Sequence, residues 1–148
     1  MVKKVTFSGA NLSIENIWDW YEISGNSLAE YKKLIISSIS NNQDVPEQFV
    51  GMSLDEITDF FNDYFRELGH LISFDLLSAA EATLRIEYLQ RVYRKDKDTV
   101  SREFRNLYKK EGILARLDED ILTIWHKHVS RTGIIGDFRG ALNFRHWL

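Results

Sequence analysis

Proline occurs once in this chain of 148 residues, at Pro46, and glycine only eight times. Proline removes a backbone donor and clashes with the turn before it, so its scarcity leaves room for long uninterrupted helices. It also argues against a sandwich of short strands, which needs turn residues at close intervals. The expected class is all-α, a helical bundle with a helical N-terminal appendage. Apolar residues make up 44 % of the chain, enough for a substantial core in one compact unit. Cysteine is absent, which excludes disulfides and thiolate metal sites and fits a reducing cytoplasmic setting. No apolar run approaches the ~18 residues that span a bilayer. Met1 to Phe7 leads into no signal-peptide core, so no membrane partner is expected.

Periodicity and caps place the helices. Lys4 to Ser8 alternates weakly and reads as extended. Ser13 is a good N-cap for a short helix to Tyr21 carrying Ile14, Ile17, Trp18 and Tyr21. Trp20 stands off that face as a candidate partner contact. Ser24-Gly25-Asn26 signals a turn, and Ser27 with Glu30 has capping-box spacing for a second helix to Ser40. The loop 41–46 holds Val45 before Pro46, where helical backbone is disfavoured, and marks the expected boundary between an appendage, 1–45, and a bundle, 46–148. Ser53 and Glu56 form another capping box, and Gly69 permits a break before a long helix from Ile72 to Arg94. A short helix from Ser101 to Glu111 is closed by Gly112. Asp118 is expected to cap the next helix, and 132–136 to turn into the last.

Charge is unevenly spread. Residues 1–81 carry 5 Lys/Arg against 13 Asp/Glu, whereas residues 82–148 carry 14 against 9. The basic excess lies between Arg85 and Lys110 and suits either a polyanion or an ordinary solvated helix face. At spacing four, Glu81 and Arg85 can pair on one helix surface. His126 and His128 stand two apart, which a helix points to different faces, a poor spacing for a shared metal. No His-Glu-x-x-His, phosphate-binding glycine loop or nucleophile elbow is present.

The C-terminal stretch is the most specific. Phe138, Leu142 and Arg145 share a helical face, which puts a guanidinium on an otherwise apolar stripe. Phe138-Arg-Gly-Ala-Leu-Asn-Phe-Arg-His-Trp-Leu148 resembles the last helix of HEPN-type ribonucleases, closest to the RiboL-PSP-HEPN group. Further strings in the same order are similar to that group: Leu76-Leu-x-Ala-x-Glu81, Lys97-Asp98, Ser101-Arg-x-Phe-Arg-x-Leu-Tyr108 and Leu117-x-Glu-Asp-Ile-Leu122. The resemblance covers about Ser53 to Leu148. It implies a helical bundle that dimerises and cuts RNA without a metal or other cofactor. In such a reaction a ribose 2′-hydroxyl attacks the adjacent phosphate, a histidine transfers protons and an arginine stabilises phosphate charge.

Carried onto this chain, the resemblance matches Arg145 to the family's arginine and His146 to the polar residue after it. The catalytic histidine would then stand two positions past Leu148, which makes the 148 residues an expected inactive body. Arg139 and His146, with six residues between them, offer a second register for the Arg-x4-6-His motif. Glu81, Arg85 and Glu87 match polar positions of the family's second bundle helix. Arg91, Arg94, Arg102 and Arg105 are candidate phosphate contacts, together with Arg85. The expected partners are RNA, a second copy of the chain and a cognate antitoxin. A non-catalytic module that binds RNA or protein is the alternative; a helical interaction domain without a nucleic-acid role is the blandest one.

Overall fold

The computed structural model describes residues 13–129 and 132–145, without the side chains of Thr132 and Arg145. All regular structure among them is helical, and the chain is an all-α protein. Five α-helices follow in order: α1 (Ile14–Ser40), α2 (Leu54–Arg94), α3 (Thr99–Glu111), α4 (Leu122–His128) and α5 (Thr132–Arg145). Short 3-10 turns occupy Glu47–Phe49 and Gly112–Leu114, and a π turn, Leu117–Ile121, leads into α4. Among the described residues no helix is long and apolar enough to cross a membrane.

The described residues form two compact units, Ser13–Leu76 and those from Leu77 onward. The division expected at residue 45 instead lies 31 positions later, because residues on both sides of the 41–53 connection share one core. Ile35 of α1 is fully buried with Phe49, Ile57 and Phe61. The Phe49 and Phe61 rings stack at 5.9 Å, and Tyr31 meets Phe61 edge-on at 5.7 Å. These pairings make α1 and the first part of α2 an antiparallel hairpin. The reach of a capping box is visible at its second arm. The Ser53 backbone N–H donates to Glu56 Oε2 at 2.7 Å, and Glu56 N–H donates back to Ser53 Oγ at 3.3 Å.

Two expected interruptions do not occur. Helix α1 runs through Ser24-Gly25-Asn26, and α2 runs through Gly69. A helical glycine costs only about 1 kcal/mol relative to alanine. A break would strand up to four N–H and four C=O groups. Ser27 does not cap; its hydroxyl donates to the Ile23 carbonyl one turn back at 2.8 Å, as Ser73 does to Gly69.

The second unit packs around Phe104, which is fully buried with its ring 5.2 Å from Tyr88 and 5.6 Å from Trp125. Leu117, Ile121, Leu122, Ile135 and Leu142 complete that core, at the positions the helical period assigns to Leu117, Ile121 and Leu142. Asp98 caps α3 by accepting from the Ser101 N–H at 3.0 Å, and Gly112 ends the helix at φ +59°, a conformation that favours glycine. Burial raises the Tyr88 hydroxyl's pKa, and its O–H donates to the Gly112 carbonyl at 2.9 Å.

The hydrogen bonds from Ser101 hold the Asp98 carboxyl below the usual carboxylate range. Glu103 is lowered too, first by its 2.8 Å hydrogen bond with His128 and then by Lys127. A carboxyl with a depressed folded pKa takes up more protons when unfolded. Its stabilisation is therefore full above the unfolded pKa and is lost as pH falls through the folded value. Thermal melts of the wild type should drop below about pH 4.5, the upper end of the reference carboxylate values. Asp98→Asn should flatten that acid limb; an unchanged limb would show that the cap carboxylate is not a source of it.

Candidate functional site

A cleft of about 230 Å³ opens in the second unit between α2, the π turn and α5. Glu81 and Arg85 of α2 line one side, Arg116 to Glu119 the second, and Leu142 with Asn143 of α5 the third. Each wall has a local cause. Glu81 and Arg85 are one turn apart, and Arg85 Nε donates to Glu81 Oε1 at 3.1 Å. Arg85 also reaches across to donate to the Ala115 carbonyl at 3.1 Å. On α5, Ile135, Phe138 and Leu142 point into the core, which turns Asn143 to the cleft rim.

The π turn is the least expected wall. Arg116 N–H donates to Asp120 Oδ2 at 2.8 Å, so the acid tied to the start of this turn is Asp120, and Asp118 does not cap it. Asp118 instead holds Arg139 of α5. Its carbonyl accepts from Arg139 Nη2 at 2.8 Å, and Thr123 Oγ1 accepts from the same nitrogen at 2.9 Å. Arg139 Nε lies 2.9 Å from Asp118 Oδ1, an ion pair whose angle is too bent for a hydrogen bond. Arg116 is paired with Glu119 across one turn.

Of the sequence-derived site residues, the fold brings Glu81 and Arg85 together at this cleft. Arg139 lies against the adjoining π turn with its guanidinium engaged as a fastener. Glu87 is elsewhere. It accepts from Arg91 Nε at 2.6 Å, and Arg91 also approaches Asp98 and Ser101 at 3.4 Å while its guanidinium sits 5.1 Å from the Trp125 ring centroid. Arg105 donates to the Asp96 carbonyl at 2.6 Å, and Arg94 to Gln90 Oε1 at 3.2 Å. Arg102 is exposed. The basic run is thus partly internal fastening, with Arg94 and Arg102 turned to solvent. The side chain of Arg145 and the whole of His146 lie outside the described residues.

Sequence reasoning did not single out Arg116, Asp118, Glu119 and Asn143 as site residues. Leu117-x-Glu-Asp-Ile-Leu122 was legible as a similar string, but its spacing carries no hint that it faces α2 and α5. Among the described residues no three His, Asp or Glu side chains converge as a metal site. Compared with protein-family models, curated proteins and solved structures, the chain has no match.

Proposed function

We propose that this chain carries the body of a HEPN-type, metal-independent endoribonuclease of the toxin or defence kind. The observation that supports it is the cleft in which Glu81 and Arg85 meet Leu142 and Asn143, the residues just ahead of Arg145. The strings resembling the RiboL-PSP-HEPN group supply both of those walls. In this reading the 2′-hydroxyl of a ribose attacks the adjacent phosphate, and the leaving group is the next nucleotide's 5′-oxygen. Arg145 stabilises the charge that builds on the phosphate, and the resemblance assigns the proton transfers to a histidine that is not among these 148 residues. Glu81 orients Arg85 at the edge of the RNA path, and Arg94 and Arg102 contact phosphates further along. A homodimer sharing one cleft and a cognate antitoxin belong to the same proposal.

The test is RNA cleavage in excess EDTA by the 148-residue chain and by the chain extended with Ala-His-Gly-Arg, the continuation that the resembled group carries after this helix. The extended chain should cut, and Arg145→Ala should return it to background. Cleavage by the 148 residues that His146→Ala removes would move the chemistry to Arg139 and His146. Cleavage indifferent to Arg145, Arg139 and His146 would reject the assignment. The second reading, a non-catalytic RNA- or protein-binding module, is favoured by the internal ties of Arg85, Arg91 and Arg139. RNA binding that persists without cleavage in the extended chain would select it.

A further inference from the structure

The hairpin leaves one of its faces uncovered. On α1, Trp20, Ile23, Tyr31 and Leu34 recur at helical spacing, and on α2 Tyr64, Leu71 and Phe74 do the same. All seven are 38–67 % exposed. Phe49 shows that the two stripes lie on the same side. Its ring is 6.0 Å from Tyr31 of α1 and 5.3 Å from Phe60 of α2, so it seats between the helices at the connection end. Phe60 continues into the α2 stripe through Tyr64, with ring centroids 4.6 Å apart. Beyond Phe49 the groove runs on toward Trp20 and Phe74 for about ten residues, or ~15 Å at 1.5 Å per residue. Side chains of these sizes and exposures leave roughly 700 Å² open. That is larger than the patch of ~300–600 Å² typical of a monomer and near the ~800 Å² one partner contributes to a standard interface.

Charge decides what fits. Residues 13–76 hold 12 Asp/Glu and 3 Lys/Arg, a net of −9. Several of these acids rim the groove: Asp19 and Glu30 stand one turn from Ile23 and Leu34, and Asp63 one turn from Phe60 and Glu67. Glu67 itself falls within the α2 stripe, between Tyr64 and Leu71. The local pairs of Glu30 with Lys33 and Asp63 with Arg66 are exposed and worth at most about 1 kcal/mol, so they hold these carboxylates loosely. A second copy of this face would bring two strongly acidic surfaces together. A helix that is apolar on one side and basic on its flanks would bury the stripe and neutralise the rim.

We propose that the groove between α1 and the first part of α2 docks an amphipathic, net-basic helix of a partner protein, three turns or longer. The ridge would lie in line with Phe49, whose side chain already fills the connection end of the same groove. Recognition is of the helix-in-groove kind, with apolar anchors about one turn apart and lysine or arginine on both flanks.

The probe is a synthetic 14-residue helix with Leu on one face and Lys on the other, titrated into the full chain by calorimetry. Its partner control carries Glu for every Lys. The Leu/Lys helix should bind one to one with micromolar affinity and lose about tenfold between 50 and 500 mM salt. Ile23→Ser with Leu71→Ser should weaken it at least about tenfold, since both positions are exposed and the helical circular dichroism should be retained. Asp63→Lys with Glu67→Lys should reverse the preference toward the Leu/Glu helix. Equal binding of both probes, or binding indifferent to Ile23 and Leu71, would overturn the proposal. So would sedimentation showing a dimer that Leu71→Ser dissociates, which would make a second copy the occupant.

Discussion

Phe104→Ala should lower the unfolding free energy by about 3–5 kcal/mol, the largest loss expected of any single substitution in the second unit. The side chain is fully buried, and its ring lies edge-on to both Tyr88 and Trp125. Truncation removes the transfer energy of the ring and leaves a cavity between three helices. The edge-to-face contacts add about 0.5–1.5 kcal/mol each to what area burial alone supplies. Collapse around the void is opposed by Leu117, Ile121 and Leu122, which are themselves buried in place. Urea unfolding followed by tryptophan fluorescence and far-ultraviolet circular dichroism measures it. A loss under about 1 kcal/mol would mean that the core around α3 is looser than its burial indicates.

Arg91→Ala should cost about 2 kcal/mol, unusual for a helical arginine in a basic run. Most such residues sit on solvated faces, where an ion pair contributes little. The Arg91 side chain is only 27 % exposed; Glu87, Asp98, Ser101 and the Trp125 ring surround its guanidinium. Removing it leaves Glu87 half-buried without this partner and strips a cation from the indole face. The same substitution separates structure from RNA contact. Under the proposed RNA-binding function, and with Arg91 as a fastener, folded Arg91→Ala should keep the salt dependence of any RNA binding, whereas Arg102→Ala should lower the salt slope by about one. The reverse pattern would put Arg91 back among the phosphate contacts.

The route from sequence to cleft was partly open. Glu81 and Arg85 were legible because four residues on a helix is a contact distance, and the fold keeps that pair. Glu87 was named through the resemblance alone, and it faces Arg91, because six positions from Glu81 is not a return to the same face. Asp118 looked like a cap because an acid opens many helices. In a π turn the register of the ladder shifts, and Asp120 reaches the Arg116 N–H instead. That released Asp118 to hold Arg139, a contact spanning 21 residues that no local pattern encodes.

What the sequence determined by itself was a part of what depends on neighbours within one turn. The helical class, the Ser13 cap, the Gly112 stop and the inward face of α5 at Phe138 and Leu142 follow from local spacing, whereas the cap of α3 falls on Asp98, ahead of the expected start at Ser101. Helix α1 runs through Gly25 and α2 through Gly69, where a local cost of about 1 kcal/mol for a helical glycine is smaller than that of leaving the N–H and C=O groups at a break unpaired. Tertiary structure decided what depends on distant partners. It moved the unit boundary to Leu76, because Phe49, on the connection, belongs to the same core as Ile35 and Phe61. And it set Arg85 on Ala115, 30 residues away, which a helical period cannot record.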